Sequence, residues 1–272
     1  MQKLVIDPIT TMKGAFSVEG YNVVVTGGNR GLGRGIAQAF AECGANVAIL
    51  CRNEESGKKA AAEIAELGVE SFAVKCDVGD FDDVLAAKDA VAERFDHIDV
   101  PVNNAGIDGK EGVFDDERME EFKRVMNVNL DGVAAMIQVF GQWMMDEGRG
   151  GEIINISSIG GQAIGDPRSH PMPSYNASKA ALDHLTRHLA IVMGDYGIRV
   201  NSIAPGPTHS DLDAGLPPSI TEFIDETMPM HRFGEPLEIG ALAVFLSSPA
   251  AVQITGVVAN HDGGTMCVGL TF

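Results

Sequence analysis

The sequence predicts an α/β domain built on a doubly wound parallel sheet with helices on both faces. Three observations carry this. Short runs rich in valine and isoleucine recur along the chain without polar alternation, as in strands buried on both faces. Helical stretches of ordinary length separate them, and strands alternating with helices build parallel βαβ units. The first such run, Tyr21–Thr26, passes through GGNRGLG (Gly27–Gly33) directly into a helical stretch.

Residues 1–19 read as an N-terminal arm, and 20–272 as a single domain, for which this length suffices. After the helix that ends near Cys43, Asn46–Cys51 is the second strand. An alanine-rich helix over Glu54–Leu67 leads to a strand at Ser71–Lys75, and a helix over Phe81–Phe95 to one at Ile98–Val102. Arg118–Asp146 is one long helix, with Phe122, Val125, Met126, Val133, Ile137 and Phe140 close to a 3.6 period. Glu152–Ser157 is the fifth strand, a helix through Tyr175 runs to Met193, and Ile198–Ile203 is the sixth. Residues 207–232, rich in proline and acid, form a substrate lid with a short helix inside. A helix opened by Glu235-Pro236 runs to Ser247, and Val257–Asn260 is the last strand.

A formal charge of −18 lacks the basic footprint that nucleic acid or an anionic membrane surface demands, and reads first as solubility. No apolar run reaches the ~20 residues that span a bilayer. The N-terminus has Asp7 and Pro8 where a signal peptide carries its apolar core. Four scattered cysteines, Cys43, Cys51, Cys76 and Cys267, have no metal-ligand spacing, so the expectation is a reducing cytoplasm and no metal. His184 and His188 have helical ligand spacing but no third ligand, and are assigned to structure or an interface. His209 and His231 flank the lid without a signal of their own.

The chemistry centres on SYNASKAA (Ser174–Ala181). Tyr175 and Lys179 lie four apart and share a helix face. An ammonium close to a phenol lowers the phenol pKa and gives an acid/base group suited to an alcohol oxygen. The glycines Gly27, Gly31 and Gly33 sit between strand and helix, where a dinucleotide phosphate meets backbone N–H groups and the helix N-terminus.

Together these residues identify a resemblance to the short-chain dehydrogenase/reductases. It is carried, in order, by TGGNRGLG (Thr26–Gly33), CDV (Cys76–Val78), NNAG (Asn103–Gly106), NVNL (Asn127–Leu130), INISS (Ile154–Ser158), YNASK (Tyr175–Lys179), RVNSIAPG (Arg199–Gly206) and DGG (Asp262–Gly264), and spans about 16–265. It implies a Rossmann-type fold. It also implies Tyr175 as acid/base, Lys179 as the lysine that lowers its pKa and holds the nicotinamide ribose, Ser158 as hydrogen-bond donor to the substrate oxygen, and Asn129 as anchor of a relay water. For the cofactor it implies the loop Gly27, Asn29, Arg30, Gly31, Leu32 and Gly33, then Asp77 and Val78 beside adenine. Asn104, Ala105 and Gly106 would follow, and Pro205, Gly206 and Thr208 at the carboxamide. Ser210 stands where many members have threonine. The family usually forms tetramers or dimers, and Met136, Ile137, Phe140, Trp143 and Met144 suit either such an interface or an ordinary core.

At the end of the second strand, where an acidic residue would grip a ribose 2′-hydroxyl, stand Cys51 and Arg52. Arg52 and Arg30 favour NADP(H) over NAD(H), because guanidinium binds phosphate in a bidentate way. The expected reaction interconverts a secondary alcohol and a ketone. A proline-rich insert, Gly165–Pro173, resembles that of sugar and polyol members, whereas Leu212, Leu216, Ile220, Phe223, Ile224, Met228 and Met230 make an apolar lid suited to hydroxysteroids. The acidic residues Asp211, Asp213, Glu222, Asp225 and Glu226 disfavour a 3-oxoacyl-thioester reductase, whose carrier needs a basic dock. A dinucleotide-binding regulator without turnover is the other alternative.

Overall fold

In a computed structural model describing residues 3–109, 111–164, 172–209 and 218–268, the valine run forms β1 (Asn22–Thr26), buried throughout. It is followed by α1 (Gly31–Glu42), β2 (Asn46–Cys51), α2 (Glu54–Ala65), β3 (Ser71–Lys75), α3 (Phe81–Ala92) and β4 (Val100–Asn103). Side chains start two of these helices. Asn53 accepts from Ser56 N and Asp80 from Asp82 N and Asp83 N, which satisfies amides that have no intrahelical partner.

The next segment is helical without a break from Glu120 to Glu147, as expected apart from its first residues. It consists of α4 (Glu120–Met126), α5 (Gly132–Met136) and α6 (Gln142–Glu147), joined by π-helical turns at Asn127–Asp131 and Ile137–Gly141. Its start moves, because Arg118 and Met119 take φ of 62° and 61° and cannot continue a right-handed helix. The Asp116 carboxylate caps the true start, accepting from Glu121 N at 3.0 Å and Phe122 N at 2.8 Å. Then come β5 (Gly151–Ile156), α7 (Pro173–Met193), β6 (Ile198–Pro205), α8 (Pro218–Glu226), α9 (Pro236–Ser247) and β7 (Val258–His261).

All seven strands pair in parallel, in the order β3-β2-β1-β4-β5-β6-β7. One face packs α1, α2 and α9 through Ile36, Phe40, Ile64, Ile239 and Leu246. The other packs α3, α7 and the segmented helix through Val84, Val91, Phe140 and Leu182. Met136, Ile137, Phe140 and Met144 are buried in this second core with Trp143 against them, so within the chain they form an ordinary core face. The arm is tethered at both ends. Leu4 N donates to Asp195 O at 3.0 Å, and Ala15 and Val18 are buried. Chain order reverses between β1 and β4, and a cleft opens beyond the carboxyl ends of a doubly wound sheet at such a point.

Candidate active site

That cleft is a cavity of about 890 Å³ above the carboxyl ends of β1, β2, β4, β5 and β6. Drug- and cofactor-sized sites fall in a range of roughly 300–1,000 Å³. Its lining includes Gly27, Asn29, Arg30, Gly31, Leu32, Gly33, Arg52, Asp77, Val78, Asn104, Ala105 and Gly106 at one end. Ser158, Tyr175, Lys179, Pro205, Gly206 and Thr208 line the other. Of the residues expected from sequence, only Asn129 stands behind the wall, fully buried in the first π-helical turn.

The glycine loop is fixed by its neighbours. Thr26 Oγ1 accepts from Asn104 N at 2.9 Å and Ala105 N at 3.0 Å, and Asn104 Nδ2 donates to Thr26 O at 2.8 Å. A Cβ on Gly33 would lie 2.4 Å from both Asn104 Nδ2 and Gly27 O, so only glycine lets helix, loop and β4 turn meet. Gly31, with φ of +52°, has no atom within 4 Å of its would-be Cβ and leaves its side of the loop open. The N-terminus of α1 has neither a side-chain cap nor an acidic residue in its first turn, so its free amides suit a diphosphate. Asn29 Nδ2 donates to Ser56 Oγ at 2.9 Å, which ties the loop to the start of α2 near Arg52. The residues present fit a nicotinamide dinucleotide.

At the other end, Ser158 Oγ accepts from Gly160 N at 3.1 Å, and its hydroxyl favours the ionised form of the neighbouring Tyr175 phenol. The Lys179 Nζ lies 5.6 Å from the centre of the Tyr175 ring and donates to Ile156 O at 2.8 Å. The expected lowering of the tyrosine pKa is absent here. Burial raises the phenol pKa, the Ser158 hydroxyl opposes that rise, and the Asp108 carboxylate adds to it. Burial also pushes Lys179 down to about 8. The Asp183 carboxylate favours the charged lysine but only partly offsets this burial, so desolvation, and not the neighbouring ammonium, sets the direction at Tyr175.

Asn129 Oδ1 accepts from Ile107 N at 2.8 Å, and Nδ2 donates to Ile107 O at 2.8 Å and Ser178 Oγ at 3.1 Å. Ser178 Oγ donates in turn to Tyr175 O at 2.7 Å, so Asn129 clamps the loop after β4 to the turn that carries Tyr175. Motifs missed two lining groups, Asp108 and Ser157. Asp108 lies two positions beyond NNAG, where no pattern marks it. Ser157 looks like the dispensable half of a serine pair, yet its Oγ donates to Lys179 O at 3.3 Å.

The remaining candidates lie apart. His184 and His188 are exposed on α7, and no group of three or more His, Cys, Asp or Glu among the described residues could hold a metal. His209 stacks on Phe233 at 4.6 Å and stands 3.9 Å from Glu235. Of the lid, 210–217 lie outside the described residues, with Ser210, Asp211, Leu212, Asp213 and Leu216 among them. Ile224 and Met228 are buried, so they are core rather than substrate-facing, while Met230 is exposed. The insert at 165–171 is also outside the described residues.

A doubly wound sheet with a glycine-loop cleft and a tyrosine–lysine pair at its far end defines a nicotinamide-dependent oxidoreductase. A family model described as enoyl-(acyl carrier protein) reductase matches residues 27–266. The chain is 37% identical over 244 residues to the 3-oxoacyl-[acyl-carrier-protein] reductase FabG of Staphylococcus aureus, covering 89% of this chain and 97% of that protein. A 7 alpha-hydroxysteroid dehydrogenase complexed with NADH and 7-oxo glycochenodeoxycholic acid superposes with a TM-score of 0.87 at 32% identity, over 94% of this chain and 98% of that one. A gluconate 5-dehydrogenase from Burkholderia cenocepacia in complex with NADP and tartrate gives 0.88 at 31%, over 94% and 99%. The chain belongs to the short-chain dehydrogenase/reductase family. It is an oxidoreductase of hydroxyl and keto groups on small molecules, and its cofactor is a nicotinamide dinucleotide.

Proposed function

We propose an NADP(H)-preferring reductase/dehydrogenase that interconverts a secondary alcohol and a ketone, with Tyr175 as its acid/base. The observation that supports this most directly is that Tyr175, Ser158 and Lys179 line one end of the cleft whose other end holds Arg30 and Arg52. When bound, the nicotinamide supplies or takes up the hydride at the carbinol carbon. Tyr175 gives its phenolic proton to the carbonyl oxygen in reduction and takes it back in oxidation. Ser158 Oγ, already accepting from Gly160 N, has its O–H left to donate to the same oxygen.

Lys179, anchored on Ile156 O, has further N–H donors for the nicotinamide ribose and for the phenol. Both Asn129 amide hydrogens are committed, so a relay water would use the second lone pair of Oδ1. Arg30 and Arg52 are both exposed at the adenosine end of the cleft, where a 2′-phosphate would lie between two guanidinium groups. The segment 207–232 serves as substrate lid, residues 20–272 act as one catalytic domain, and the enzyme works in the cytoplasm as a homotetramer or homodimer. Sugars or polyols and hydroxysteroid-like ketones are the substrate classes favoured. Gluconate 5-dehydrogenase and 7 alpha-hydroxysteroid dehydrogenase among the relatives support both.

The test is a nicotinamide oxidation screen with NADPH and NADH against ketoses, 3-, 7- and 12-oxo steroids and simple diketones. Turnover of one ketone class with NADPH supports the proposal. Tight NADPH binding with no turnover of any ketone in the screen, nor of an added 3-oxoacyl thioester, favours a dinucleotide-binding regulator.

A further inference from the structure

Asp108 is the acidic group that shares the cavity with Tyr175 and Ser158 at the reacting end. Its backbone is held on both sides. The peptide of Ile107, just before it, is gripped twice by Asn129, at 2.8 Å in each direction. Gly109, just after it, is buried so tightly that a Cβ there would lie 2.3 Å from Ser174 Oγ and 3.2 Å from Glu121 Oε1. Ser174 is the residue before Tyr175, so this packing sets the spacing between the Asp108 loop and the Tyr175 turn. The carboxylate is half-buried in the wall of the cavity, and its charge is felt at the Tyr175 phenol.

The adenosine and phosphates have their own groups at the opposite end, the glycine loop, Arg30 and Arg52, and the nicotinamide has Lys179, Pro205, Gly206 and Thr208 at this one. Asp108 lines the same end as Tyr175 and Ser158 and is assigned no cofactor contact, which leaves its carboxylate for the substrate. That carboxylate accepts hydrogen bonds and does not donate them when ionised, and it repels a second carboxylate at short range.

Resting on the reductase reading above, we propose that Asp108 determines substrate specificity. It selects ketones or alcohols that present a hydrogen-bond donor, hydroxyl or ammonium, close to the reacting carbon, and it rejects those that present a carboxylate there. The charged groups facing the phenol are then Asp108 from the loop after β4 and Lys179 from α7. Ser158 adds a neutral hydroxyl from the end of β5.

The experiment uses the full-length enzyme and its Asp108→Asn variant, which keeps the shape and removes the charge. Four matched methyl ketones that differ only on the carbon next to the carbonyl are assayed with NADPH and NADH: acetone, hydroxyacetone, aminoacetone and acetoacetate. The hydroxy and amino arms distinguish a polyol-like from a cationic substrate. We expect wild-type kcat/KM to favour the donors over the carboxylate, and Asp108→Asn to shrink that preference by about tenfold or more. The same substitution should move the tyrosine limb of the pH profile to lower pH, because it removes a charge that raises the phenol pKa. An unchanged preference in a variant that folds as the wild type overturns the proposal.

Binding of the same probes to the NADPH complex, measured by calorimetry, separates the two readings. Donor-selective binding that Asp108→Asn abolishes, without turnover of any ketone, sinks the reductase reading and leaves the Asp108 selectivity standing. Turnover without selectivity does the reverse.

Discussion

Lys179 stands one helical turn beyond Tyr175 with its Nζ 5.6 Å from the ring centre, yet its hydrogen bond goes to the Ile156 carbonyl at 2.8 Å. The ammonium is thus fixed by the end of β5 and not by the phenol it was expected to activate. Its pKa of about 8 means that it loses its charge near the working pH. For ketone reduction, kcat/KM should fall as pH rises through about 8, since that quantity reports the free enzyme. Lys179→Met should remove the limb and lower the plateau. A profile flat through this range in the wild type would show that lysine keeps its charge. Stability takes the opposite sign. The folded pKa lies below that of the unfolded chain, so between the two the unfolded state binds more protons and stability rises with pH.

Removing the phenolic oxygen tests the acid/base assignment directly. Tyr175→Phe keeps the ring that lines the cleft and deletes the proton donor. Turnover should fall by about 10²–10⁴-fold, the usual worth of a positioned general acid. Cofactor affinity, measured by fluorescence titration, should change little. A variant that retains turnover would move the proton transfer to another group.

The proposed preference for NADP(H) rests on Arg52, exposed at the cleft beside buried Cys51, and on Arg30. Arg52→Asp replaces the proposed phosphate ligand by a carboxylate that repels phosphate and accepts from a ribose hydroxyl. The ratio of kcat/KM for NADPH over NADH should drop by about a hundredfold, some 3 kcal/mol. The first turn of α2 carries Glu54 and Glu55, and Glu54 is paired with Lys58. If the NADPH preference survives Arg52→Asp, the arginine argument for NADP(H) is wrong.

How much of this was legible in the sequence depends on the range of the interaction. The parallel sheet and the glycine cleft follow from local patterns, hydrophobic runs and punctuating glycines; Ser158, Tyr175 and Lys179 line one end of that cleft, with Asn129 behind its wall. The helix expected over 118–146 is continuous from Glu120 to Glu147, and only its start differs, where positive φ at Arg118 and Met119 leaves no mark on the apolar period. The tyrosine pKa was given the wrong sign because spacing shows a neighbour and says nothing of burial. Asp108 was invisible because its significance comes from Asn129 and Ser174, 21 and 66 positions away along the chain.

At the opposite end of the sheet from the cleft, β5 and β6 hold a buried ion pair. Arg199 Nη1 lies 2.7 Å from Glu152 Oε2, and Asn201 Nδ2 donates to Glu152 Oε1 at 2.9 Å. Even so partnered, Glu152 is pushed by burial up to about 8, so the arginine offsets only part of the desolvation cost. Between the ordinary carboxylate range and about 8 the folded state binds more protons than the unfolded, and this group's contribution to stability falls as pH rises. Arg199→Met leaves the carboxyl buried without its counter-ion and raises its pKa further. At about pH 5, where Glu152 is protonated in both proteins, urea unfolding should show a small loss. At about pH 9 the loss should grow towards 3–5 kcal/mol, the cost of a buried charge without its partner. A loss of equal size at both pH values would mean that Arg199 acts by packing and by its hydrogen bond to Ile254 O at 3.2 Å, with the charge of Glu152 immaterial.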